Sequence, residues 1–540
     1  MKIRKKIILL TLIVFLSSTI TLPLLSLSSA NSIPDTFARN IHLSWKSNTS
    51  TTIVVSWRTN DIGPSIVEYG KTTEYGNTVN GTEGIYHHVE LTDLEPDTIY
   101  HYRIYNGIED YKWTKDFTFK TGNNGKYARF VAWGDSRSLR DDRRKVIETV
   151  YYMQPDFSVF TGDLVDSGKE KNQWYNWFAD FYPLISISPF MPILGNHEKN
   201  HSNYYKMFEL PGKEEYYSFD YGPIHFSALH TGAPYYGGTF DEQAAWLEND
   251  LSQVEEGKWK VILMHRPPFS SGSRYHSGDY QDVNETFVPI FEKYNVDLVF
   301  MGHEHFYERL EKNNITYVIT GGAGAPTYKV IDEYIIPESI YSEAVNHATI
   351  IQATPNQIDF RAVRTDYSIM DSITINKIDG VDLRIDNIQT FKQVLVNETV
   401  YFDVSISNIG TDNLNDTITI EFTNPFGEKT NETIDKLDVG KTKTFTLNFT
   451  PTELKTYDWT IKVENSSSEI SSRNNEITLT FLSVEEIKEL GIEPNYEVSQ
   501  TETENENENT NWGLYLGIIL GGLIIVSSIT FLIIKKVKKV

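Results

Sequence analysis

Hydrophobic residues follow two different periods along the chain, and the changes of period divide it into segments. Over residues 33–123, apolar and polar positions alternate as in β-strands, without a stripe of apolar residues at helical spacing. Residues 127–378 instead alternate short apolar runs with helical segments, which is typical of a layered α/β core. Strand patterns alone return over residues 381–482. We therefore predict a multidomain chain with an α/β layered core, a β-sandwich flanked by helices, between two all-β sandwich domains.

Individual residues predict particular strands and helices within these segments. The alternating run that ends at Trp57 is a predicted strand, and Trp57 is expected to fill the core between two sheets of the first domain. In the middle domain, residues 143–153 and 240–254 are predicted helices, and the second carries apolar residues at helical spacing. Residues 351–378 are predicted to be closing strands of the same domain.

The two ends of the chain carry membrane-related patterns. Residues 1–30 have a basic start, an apolar run and a small-residue finish, which predicts a secretory signal peptide. Residues 513–534 are apolar and uncharged, which predicts a transmembrane helix, and the lysine-rich residues 535–540 predict a cytoplasmic tail. Residues 486–511 are acidic and polar, and are predicted to form a disordered stalk. The expected location is the cell membrane, with one span and with everything before the span outside the cell.

Composition excludes several classes of function. The 540 residues carry a formal net charge of −24, which argues against binding to nucleic acid. The chain contains no cysteine, so disulfides and thiolate metal sites are excluded. Hydrophobic residues make up 40% of the chain, which is enough for ordinary packed cores. The oligomeric state is left open.

Five short polar segments each follow an apolar run in the middle domain. They are Gly134-Asp135, Gly162-Asp163, Gly195-Asn196-His197-Glu198, Met264-His265 and Gly302-His303-Glu304-His305. A glycine after a strand lets the chain turn sharply, and polar residues at the carboxyl ends of adjacent strands converge on one crevice of an open α/β sheet. Asp163 is the natural residue to bridge two metal ions, since a carboxylate has two ligand oxygens. Together the five segments predict a site for two metal ions.

These segments resemble the motifs of the calcineurin-like metallophosphoesterases, and more closely those of the purple acid phosphatases. Residues 195–198 and 302–309 look like the third and fifth motifs of that family. The sandwich ahead of the middle domain also matches the larger members, and residues 94–102 resemble a signature of fibronectin type III-like domains. The resemblance to the phosphatases covers residues 35–375, while residues 381–482 resemble the CARDB domains of prokaryotic surface proteins.

The resemblance implies a ligand set for each metal ion. The first metal is expected to bind Asp135, Asp163 and His305, and the second Asp163, Asn196, His265 and His303. Both ions are expected to be divalent or trivalent, and iron, zinc and manganese remain open. The same resemblance places His197 beside the phosphoryl group, as a donor to an oxygen or as the proton source for the leaving group. His276 is a second candidate on the substrate side.

Two positions depart from the family pattern. Purple acid phosphatases place a metal-binding tyrosine three residues after the bridging aspartate, where this chain has Asp166. Related phosphoesterases place a histidine two residues after the first aspartate, where this chain has Arg137. The first metal therefore lacks a usual ligand: three alternatives are left open, namely that Asp166 supplies it, that a water supplies it, or that the site binds metal weakly. No purple colour is expected. Arg137 is expected to contact phosphate, because a guanidinium binds phosphate oxygens in pairs.

The function implied is that of a membrane-anchored, extracellular phosphoesterase with a binuclear metal centre and a small phosphate ester as substrate. Phosphomonoesters, hydrolysed by metal-activated hydroxide as in acid phosphatases, are favoured. Phosphodiesters or nucleotides are the alternative within the same enzyme class. A cell-surface adhesion or binding protein with a vestigial phosphatase domain is the alternative from another class. Six of the seven expected ligand positions are filled, which argues against this last reading.

Overall fold

The computed structural model describes residues 37–485, apart from residues 108–111, 124, 233, 235–238, 378–379, 387–390 and 465–474. The predicted signal peptide (1–30), stalk (486–511), transmembrane helix (513–534) and cytoplasmic tail (535–540) lie outside the described residues. Within the described part of the chain, no helix is both long enough and apolar enough to cross a membrane.

The first domain is all-β, as predicted, and is organised by one long strand. Its strands are β1 (Arg39–Ser44), β2 (Ile53–Gly70), β3 (Asn77–Leu91), β4 (Ile99–Ile104) and β5 (Phe117–Lys120). Strand β2 pairs with β1 near its start, with β4 at its end and with β3 along most of its length, always antiparallel. The register of the β2–β3 pair shifts between Arg58 and Ser65. Strand β2 therefore joins both halves of the domain in a single hydrogen-bonded sheet.

The core of the first domain continues without a break into the second. Trp57 is buried as predicted, but the strands around it form one continuous sheet and not the two separate sheets that were expected, because the long strand β2 pairs with β1, β3 and β4. The Trp57 ring stacks on that of His87 with centroids 4.7 Å apart. Trp45 of the first domain packs against Phe157 of the second, with ring centroids 5.4 Å apart. Because these side chains share one apolar cluster, we expect the two domains to unfold together.

Two mixed sheets form the centre of the middle domain. Their strands are β6 (Ala128–Trp133), β7 (Phe157–Phe160), β8 (Phe190–Pro192), β9 (Tyr217–Tyr221), β10 (Ile224–Ala228), β11 (Trp259–Met264), β12 (Leu298–Met301), β13 (Tyr307–Lys312), β14 (Ile315–Thr320), β15 (Ser339–Glu343), β16 (His347–Ala353), β17 (Gln357–Arg364) and β18 (Ile369–Asn376). One sheet has the order β18-β17-β16-β6-β7-β8, and the other β15-β13-β14-β12-β11-β10-β9. Strands β6 to β8 run parallel, as do β10, β11, β12 and β14.

The two sheets pack face to face as a sandwich. Phe130 of β6 packs against Phe226 of β10 and Phe300 of β12, with ring centroids 5.2 and 6.1 Å apart. All three side chains are fully buried. The continuous apolar runs that predicted buried strands are therefore explained, since a strand in this sandwich is covered on both faces.

Helices cover the outer faces, which confirms the predicted layered α/β core. They are α1 (Arg140–Met153), α2 (Lys171–Ile185), α3 (Ser202–Met207), α4 (Asp241–Ser252), α5 (Ser273–His276) and α6 (Gln281–Lys293), with a 3-10 turn at Asp332–Tyr334. Helices α1 and α2 lie against each other and α1 lies against β16, while α4 contacts α6 and β10. Helices α1 and α4 correspond to the predicted segments 143–153 and 240–254.

The third domain is also all-β and has its own core. Its strands are β19 (Leu383–Ile385), β20 (Phe391–Leu395), β21 (Val400–Asn408), β22 (Ile418–Thr423), β23 (Lys429–Ile434), β24 (Thr442–Phe449), β25 (Thr456–Val463) and β26 (Glu476–Val484). They form a β19-β21-β24 sheet and a β20-β26-β25-β22-β23 sheet. Trp459 packs between Phe402 and Phe449 at the centre, with ring centroids 5.5 and 6.5 Å away.

A buried network of charges joins the third domain to the second. Asp359 of β17 accepts hydrogen bonds from Arg361 at 2.8 Å and from Arg384 of β19 at 2.6 Å. Arg361 also donates to the Asp386 carbonyl at 2.6 Å, and Arg384 is paired with the Asp386 carboxylate at 2.7 Å. This junction therefore depends on buried ion pairs, whereas the first two domains share an apolar core.

Candidate metal centre

Each of the five predicted segments lies at the end of a strand of the middle domain or within three residues after it. Asp135, Asp163 and Asn196 follow β6, β7 and β8, while His265 and His303 follow β11 and β12. These are the carboxyl ends of the parallel strands in the two facing sheets. The fold therefore brings residues that lie far apart in sequence to one edge of the sandwich, where open α/β sheets form their ligand sites.

Three of the predicted ligands have a left-handed backbone conformation. The angle φ is 62° at Asp135, 56° at Asp163 and 71° at His303. Aspartate and histidine tolerate this conformation better than most residues, although it is costly for any residue with a Cβ. Gly162 has a φ of 90°, and a Cβ at this position would lie 2.7 Å from the backbone nitrogen of Gly195. The tight turns aim the ligand side chains back over the ends of the strands.

Asp135, Asp163 and His305 form the first ligand group. One ligand atom from each residue lies within 4.8 Å of those of the other two. His305 Nε2 is 3.3 Å from Asp135 Oδ1. The other ring nitrogen, Nδ1, lies 2.7 Å from the Pro326 carbonyl oxygen, to which its N–H donates. The His305 ring is thus held with the lone pair of Nε2 directed at the aspartate.

Asp163, His265 and His303 form the second group, also with ligand atoms within 4.8 Å of one another. His265 Nε2 lies 3.3 Å from Asp163 Oδ1 and 3.0 Å from Asn196 Oδ1. The Nδ1–H of His265 donates to the Thr161 carbonyl at 2.7 Å. His303 Nδ1 is 3.2 Å from His265 Nε2. Asp163 belongs to both groups, as expected of a bridging ligand.

The donor and acceptor pattern of these groups fits two metal ions. Since His265 and His305 donate their Nδ1 hydrogens to backbone carbonyls, their Nε2 atoms face carboxylate oxygens with lone pairs alone. Within the described part of the chain, the buried Asp135 Oδ1 atom receives no hydrogen bond. Facing lone pairs repel one another unless a cation lies between them. Imidazole and carboxylate are the ligands of iron, zinc and manganese, so the residues present fit the predicted centre.

His303 has the protonation state that a metal ligand needs. Its side chain is buried, and burial lowers the pKa of His303 well below the ordinary histidine value. The nearby positive charge of Arg274 also lowers that pKa. His303 is therefore neutral at physiological pH, and a neutral imidazole is the form that binds metal.

Glu198 ties the turns of the centre together. Its buried carboxylate accepts hydrogen bonds from the backbone N–H groups of Gly195 and Asp163, at 2.8 and 3.0 Å. It also accepts from Leu164 and Val165, at 2.9 and 3.3 Å. Burial and the nearby charge of Asp163 raise the pKa of Glu198 above its ordinary value. Glu198 thus fixes the loop after β7 to the loop after β8, a role that we did not predict from the sequence.

His197 lies next to the bridging aspartate and is partly open to solvent. Its Nε2 atom lies 3.8 Å from Asp163 Oδ2, with 26% of the side chain exposed. Its Nδ1 atom lies 2.7 Å from the Asp166 carbonyl oxygen, which orients the ring. The His197 backbone N–H donates to Asp163 Oδ1 at 3.0 Å. Nε2 is therefore the atom left to act on a substrate.

Arg137 lies at the first ligand group, with Asp166 beside it. Arg137 Nε is 3.5 Å from Asp163 Oδ2, and Nη2 is 3.5 Å from His305 Nε2. Asp166 Oδ1 accepts hydrogen bonds from Arg137 at 3.3 Å and from the Ser138 hydroxyl at 2.5 Å. Asp166 is not among the residues whose ligand atoms converge in the first group. The structure thus places Asp166 as the partner of Arg137 and does not bring it into the position of a replacement ligand.

His276 does not reach the centre. Its Nε2 atom lies 2.8 Å from the Tyr334 carbonyl oxygen, and its exposed ring packs on that of Tyr334. On the single helical turn α5, residues two positions apart point to nearly opposite sides. Arg274, two residues earlier, points inward instead, with Nη1 2.8 Å from His303 Nε2. The sequence therefore identified the right loop but the wrong residue.

Tyr328 is a further residue of the centre that sequence reasoning missed. Its ring stacks on that of His305, with centroids 4.1 Å apart and an interplanar angle of 16°. Its hydroxyl oxygen lies 3.5 Å from His305 Nε2 and accepts a hydrogen bond from Arg274 Nη2 at 3.2 Å. Tyr328 belongs to none of the five polar segments, and a lone tyrosine after a glycine-rich stretch gives no recognisable signal.

Three family models match the chain, one in each domain. Residues 128–307 match the calcineurin-like phosphoesterases, residues 38–121 match the N-terminal domain of purple acid phosphatases, and residues 380–479 match CARDB. These matches confirm the resemblances inferred from the sequence.

Curated relatives resemble about half of the chain. An uncharacterized protein of Mycobacterium tuberculosis is 28% identical over 328 residues, which cover 50% of this chain and 61% of that protein. The protein named probable purple acid phosphatase 20, from Arabidopsis thaliana, is 29% identical over 289 residues, which cover 48% of this chain and 66% of that protein. The chain thus spans about three fifths of the length of these relatives.

A solved structure shares the fold. The purple acid phosphatase isolated from seeds of yellow lupin (Lupinus luteus) superposes with a TM-score of 0.54 and 21% sequence identity. The superposition covers 63% of this chain and 74% of the lupin chain. The two proteins therefore share a fold over the superposed part.

Proposed function

From the premise that residues 128–307 match the calcineurin-like phosphoesterases, we propose that this protein is a metal-dependent phosphoric ester hydrolase of the purple acid phosphatase type. One observation carries the proposal: two groups of nitrogen and oxygen lone pairs converge and share Asp163. A shared carboxylate between two metals is what hydrolysis by a two-metal centre requires.

The protein's own residues bind the phosphoryl group and move the proton. When bound, the metals supply polarisation of the phosphoryl oxygens and a coordinated water of lowered pKa. The Arg137 guanidinium, held by Asp166, binds phosphoryl oxygens from the side of the first group. His197, with its Nδ1 atom fixed to the Asp166 carbonyl, uses Nε2 to pass a proton to the leaving-group oxygen.

Phosphomonoesters are the favoured substrates because the centre offers positive charge on two sides. Arg137 lies beside His305, and Arg274 lies beside His303. Among the described residues, the contacts of Arg274 are with neutral groups, and it forms no ion pair with a carboxylate. A monoester dianion gains more from such a site than a diester, which carries a single charge. Phosphodiesters are the second candidate.

A hydrolysis assay with a panel of metals tests the proposal. The purified protein is stripped with a chelator, loaded with iron, zinc or manganese singly and in pairs, and given a chromogenic phosphate monoester or the matching diester. We expect turnover only after metal loading, and faster turnover of the monoester. Two bound metals per chain with no hydrolysis under any loading would favour the alternative, a surface binding protein with a vestigial enzyme domain.

We also propose that the enzyme is anchored in the cell membrane with its catalytic domain outside. The support is the sequence pattern of the two ends, with a signal-like start and four lysines after the apolar segment 513–534. Protease added to intact cells should then cut within residues 486–511 and release activity into the medium. Activity that stays protected until the cells are lysed would contradict this orientation.

A further inference from the structure

Arg274 lies at the second ligand group, on a loop that is held at both ends. We name residues 270–280, which contain the helical turn α5, the Arg274 loop. Arg274 Nη1 is 2.8 Å from His303 Nε2, and Nη2 donates to the Tyr328 hydroxyl oxygen at 3.2 Å. An arginine side chain is long and has many rotamers, so the place of its charge depends on how firmly its backbone is held. The anchors of the loop therefore decide where the positive charge of Arg274 acts.

A buried glutamate of strand β13 holds the start of the loop. Glu308 Oε2 accepts a hydrogen bond from the Ser271 backbone N–H at 2.9 Å and another from the Ser270 hydroxyl at 3.4 Å. The side chains of Glu308 and Ser270 are fully buried. The Ser270 hydroxyl oxygen in turn accepts a hydrogen bond from the Gly272 N–H at 2.9 Å. Three successive residues ahead of α5 are thereby tied, directly or through one hydroxyl, to a single carboxylate.

A second buried glutamate holds the end of the loop. Tyr280 is fully buried, and its hydroxyl donates a hydrogen bond to Glu304 Oε1. The Glu304 carboxyl group also lies against the backbone ahead of α5, since a Cβ placed on Gly272 would be 2.5 Å from Glu304 Cδ. Arg274 thus stands between two anchors. Both anchors belong to residues 302–309, which also carry two of the predicted metal ligands.

Glu308 acts on the metal centre only through the loop. Among the residues that the structure describes, Glu308 forms no hydrogen bond with a predicted metal ligand, and its bonds to Ser270 and Ser271 lead toward Arg274. Small errors in the position of a substrate-binding group have large effects on rate, because the group must meet the reacting atoms within a fraction of an ångström. A residue that fixes the backbone of Arg274 therefore influences the reaction without touching the substrate.

We propose that Glu308 is a positioning residue for substrate selection. By fixing the Arg274 loop, it keeps the guanidinium beside the second ligand group, where this charge favours a phosphomonoester dianion over a phosphodiester with its single charge. A loop without this anchor has to be ordered each time a substrate binds, and the lost conformational entropy opposes binding. The inference rests on the proposed function, since it concerns the substrate of that centre.

The ratio of kcat/KM for a chromogenic phosphate monoester to that for the matching diester measures this selection. Glu308→Ala should lower the ratio by about 10–100-fold, the usual contribution of hydrogen bonds to a charged group, and should retain both metals. Glu308→Gln restores an acceptor oxygen and should recover most of the ratio. Glu311→Ala is the matched control, since Glu311 of the same strand is exposed and pairs with Arg309 at 2.9 Å. It should keep the wild-type ratio.

A double substitution separates positioning from a general structural effect. Arg274→Gln alone should lower the ratio at least as far as Glu308→Ala does, and adding Glu308→Ala to Arg274→Gln should lower it no further. Hydrogen exchange over the Arg274 loop gives a readout without substrate. It should be faster in Glu308→Ala, because the Ser271 N–H loses its acceptor. If Glu308→Ala fails to fold, Ser270→Ala removes one of the two hydrogen bonds to Glu308 and should give both changes in smaller measure.

The outcomes distinguish this inference from the proposed function. A wild-type protein that hydrolyses esters, with a selectivity ratio and a loop exchange rate that stay unchanged in Glu308→Ala, would overturn the role of Glu308 alone. A further fall of the ratio when Glu308→Ala is added to Arg274→Gln would do the same, because the effect would then not pass through Arg274. A wild-type protein that hydrolyses neither ester under any metal loading would overturn the proposed function together with this inference.

Discussion

Asp163 at the metal centre and Asp359 at the junction with the third domain are buried alike, with 1% and 2% of their surface exposed. The two aspartates differ in the hydrogen-bond donors that surround them. Both oxygens of Asp359 accept hydrogen bonds from guanidinium groups, Oδ2 from Arg361 and Oδ1 from Arg384. Asp163 accepts a hydrogen bond from the His197 backbone, but it also faces the bare Nε2 atom of His265 at 3.3 Å.

This difference shows that burial and charge do not by themselves identify a metal site. The Asp359 cluster contains its own cations, so it is complete as folded and its role is to hold two domains together. Around Asp163, acceptor atoms still face one another with the Arg137 guanidinium 3.5 Å away, so this cluster has room for added cations. The direction of the histidine N–H groups is therefore the criterion that separates the two kinds of cluster.

The largest expected effect on hydrolysis comes from removing the charge of Asp163, the carboxylate shared by the two ligand groups. Asp163→Asn should reduce hydrolysis below detection and leave the fold intact, because one carboxylate serves both metals and asparagine has nearly the same shape. Turnover, metal content and circular dichroism of the purified variant check this. Near-wild-type turnover in a metal-loaded Asp163→Asn protein would rule out a binuclear mechanism.

His197 should affect chemistry more than metal content, since it contacts Asp163 but has its Nε2 atom toward solvent. His197→Ala is expected to lower kcat by about 10²–10⁴-fold, the usual contribution of a general acid–base group. Both metals should be retained, as measured by elemental analysis. His276→Ala is the matched control and should leave kcat unchanged. Loss of a metal from His197→Ala would show that His197 is a ligand.

At the ionic junction, an aspartate-to-asparagine substitution should lower the stability of the protein and leave its hydrolysis unchanged. Asp359→Asn leaves two buried guanidinium groups without their carboxylate, which should cost about 3 kcal/mol of unfolding free energy. Hydrolysis per folded molecule should not change. Urea unfolding, followed alongside the ester assay, measures both quantities.

Asp403→Asn provides the control for this junction, because Asp403 of β21 makes an exposed hydrogen bond with Thr446. It should change the unfolding free energy by less than about 0.5 kcal/mol. Equal stability of the Asp359→Asn and Asp403→Asn proteins would show that the buried network contributes nothing to holding the domains.

A smaller effect on the unfolding free energy is expected from the titration of His225. Both ring nitrogens of this histidine donate hydrogen bonds to carboxylates. His225 contacts Asp220 through Nδ1 at 2.8 Å and Asp250 through Nε2 at 3.0 Å. Although burial lowers it, these hydrogen bonds and charges raise the pKa of His225 to about 9. Because the folded state holds the proton more tightly than the unfolded state, the stabilisation is complete below pH 6.5 and disappears as pH rises through 9.

The His225 prediction is a loss on the order of 2–3 kcal/mol of unfolding free energy between pH 6.5 and pH 9.5. Thermal or urea unfolding over that range measures it. His225→Gln should flatten this part of the pH profile, while His276→Gln should not. An unchanged profile in His225→Gln would mean that this triad does not carry the proton in the folded state.

The sequence was sufficient for the parts of the molecule that depend on local pattern. The α/β alternation predicted the layered middle domain, and each polar segment around Asp135, Asp163, Asn196, His265 and His303 follows a strand as expected. This worked because buried parallel strands are continuous apolar runs, and because ligands at their carboxyl ends follow directly in the chain.

The residues that the sequence analysis missed are those whose place depends on the direction in which a side chain points in the folded protein. The choice between Arg274 and His276 turns on which side of the one-turn helix α5 faces the centre, and the chemistry of the loop favoured the histidine. Tyr328 reaches the centre only because the chain returns past His305 after β14. Helix α6 was not singled out, and it contains Pro289, a residue that usually interrupts helices.

The left-handed turns at Asp135, Asp163 and His303 also bear on how such a site changes during evolution. Few side chains combine tolerance of positive φ with affinity for metals, and they are aspartate, asparagine and histidine. Selection for the backbone and selection for the ligand thus permit nearly the same substitutions. A lineage that no longer needs the metals still keeps these residues for the sake of its turns. The motif is therefore expected to outlive the activity in the descendants of an enzyme of this kind.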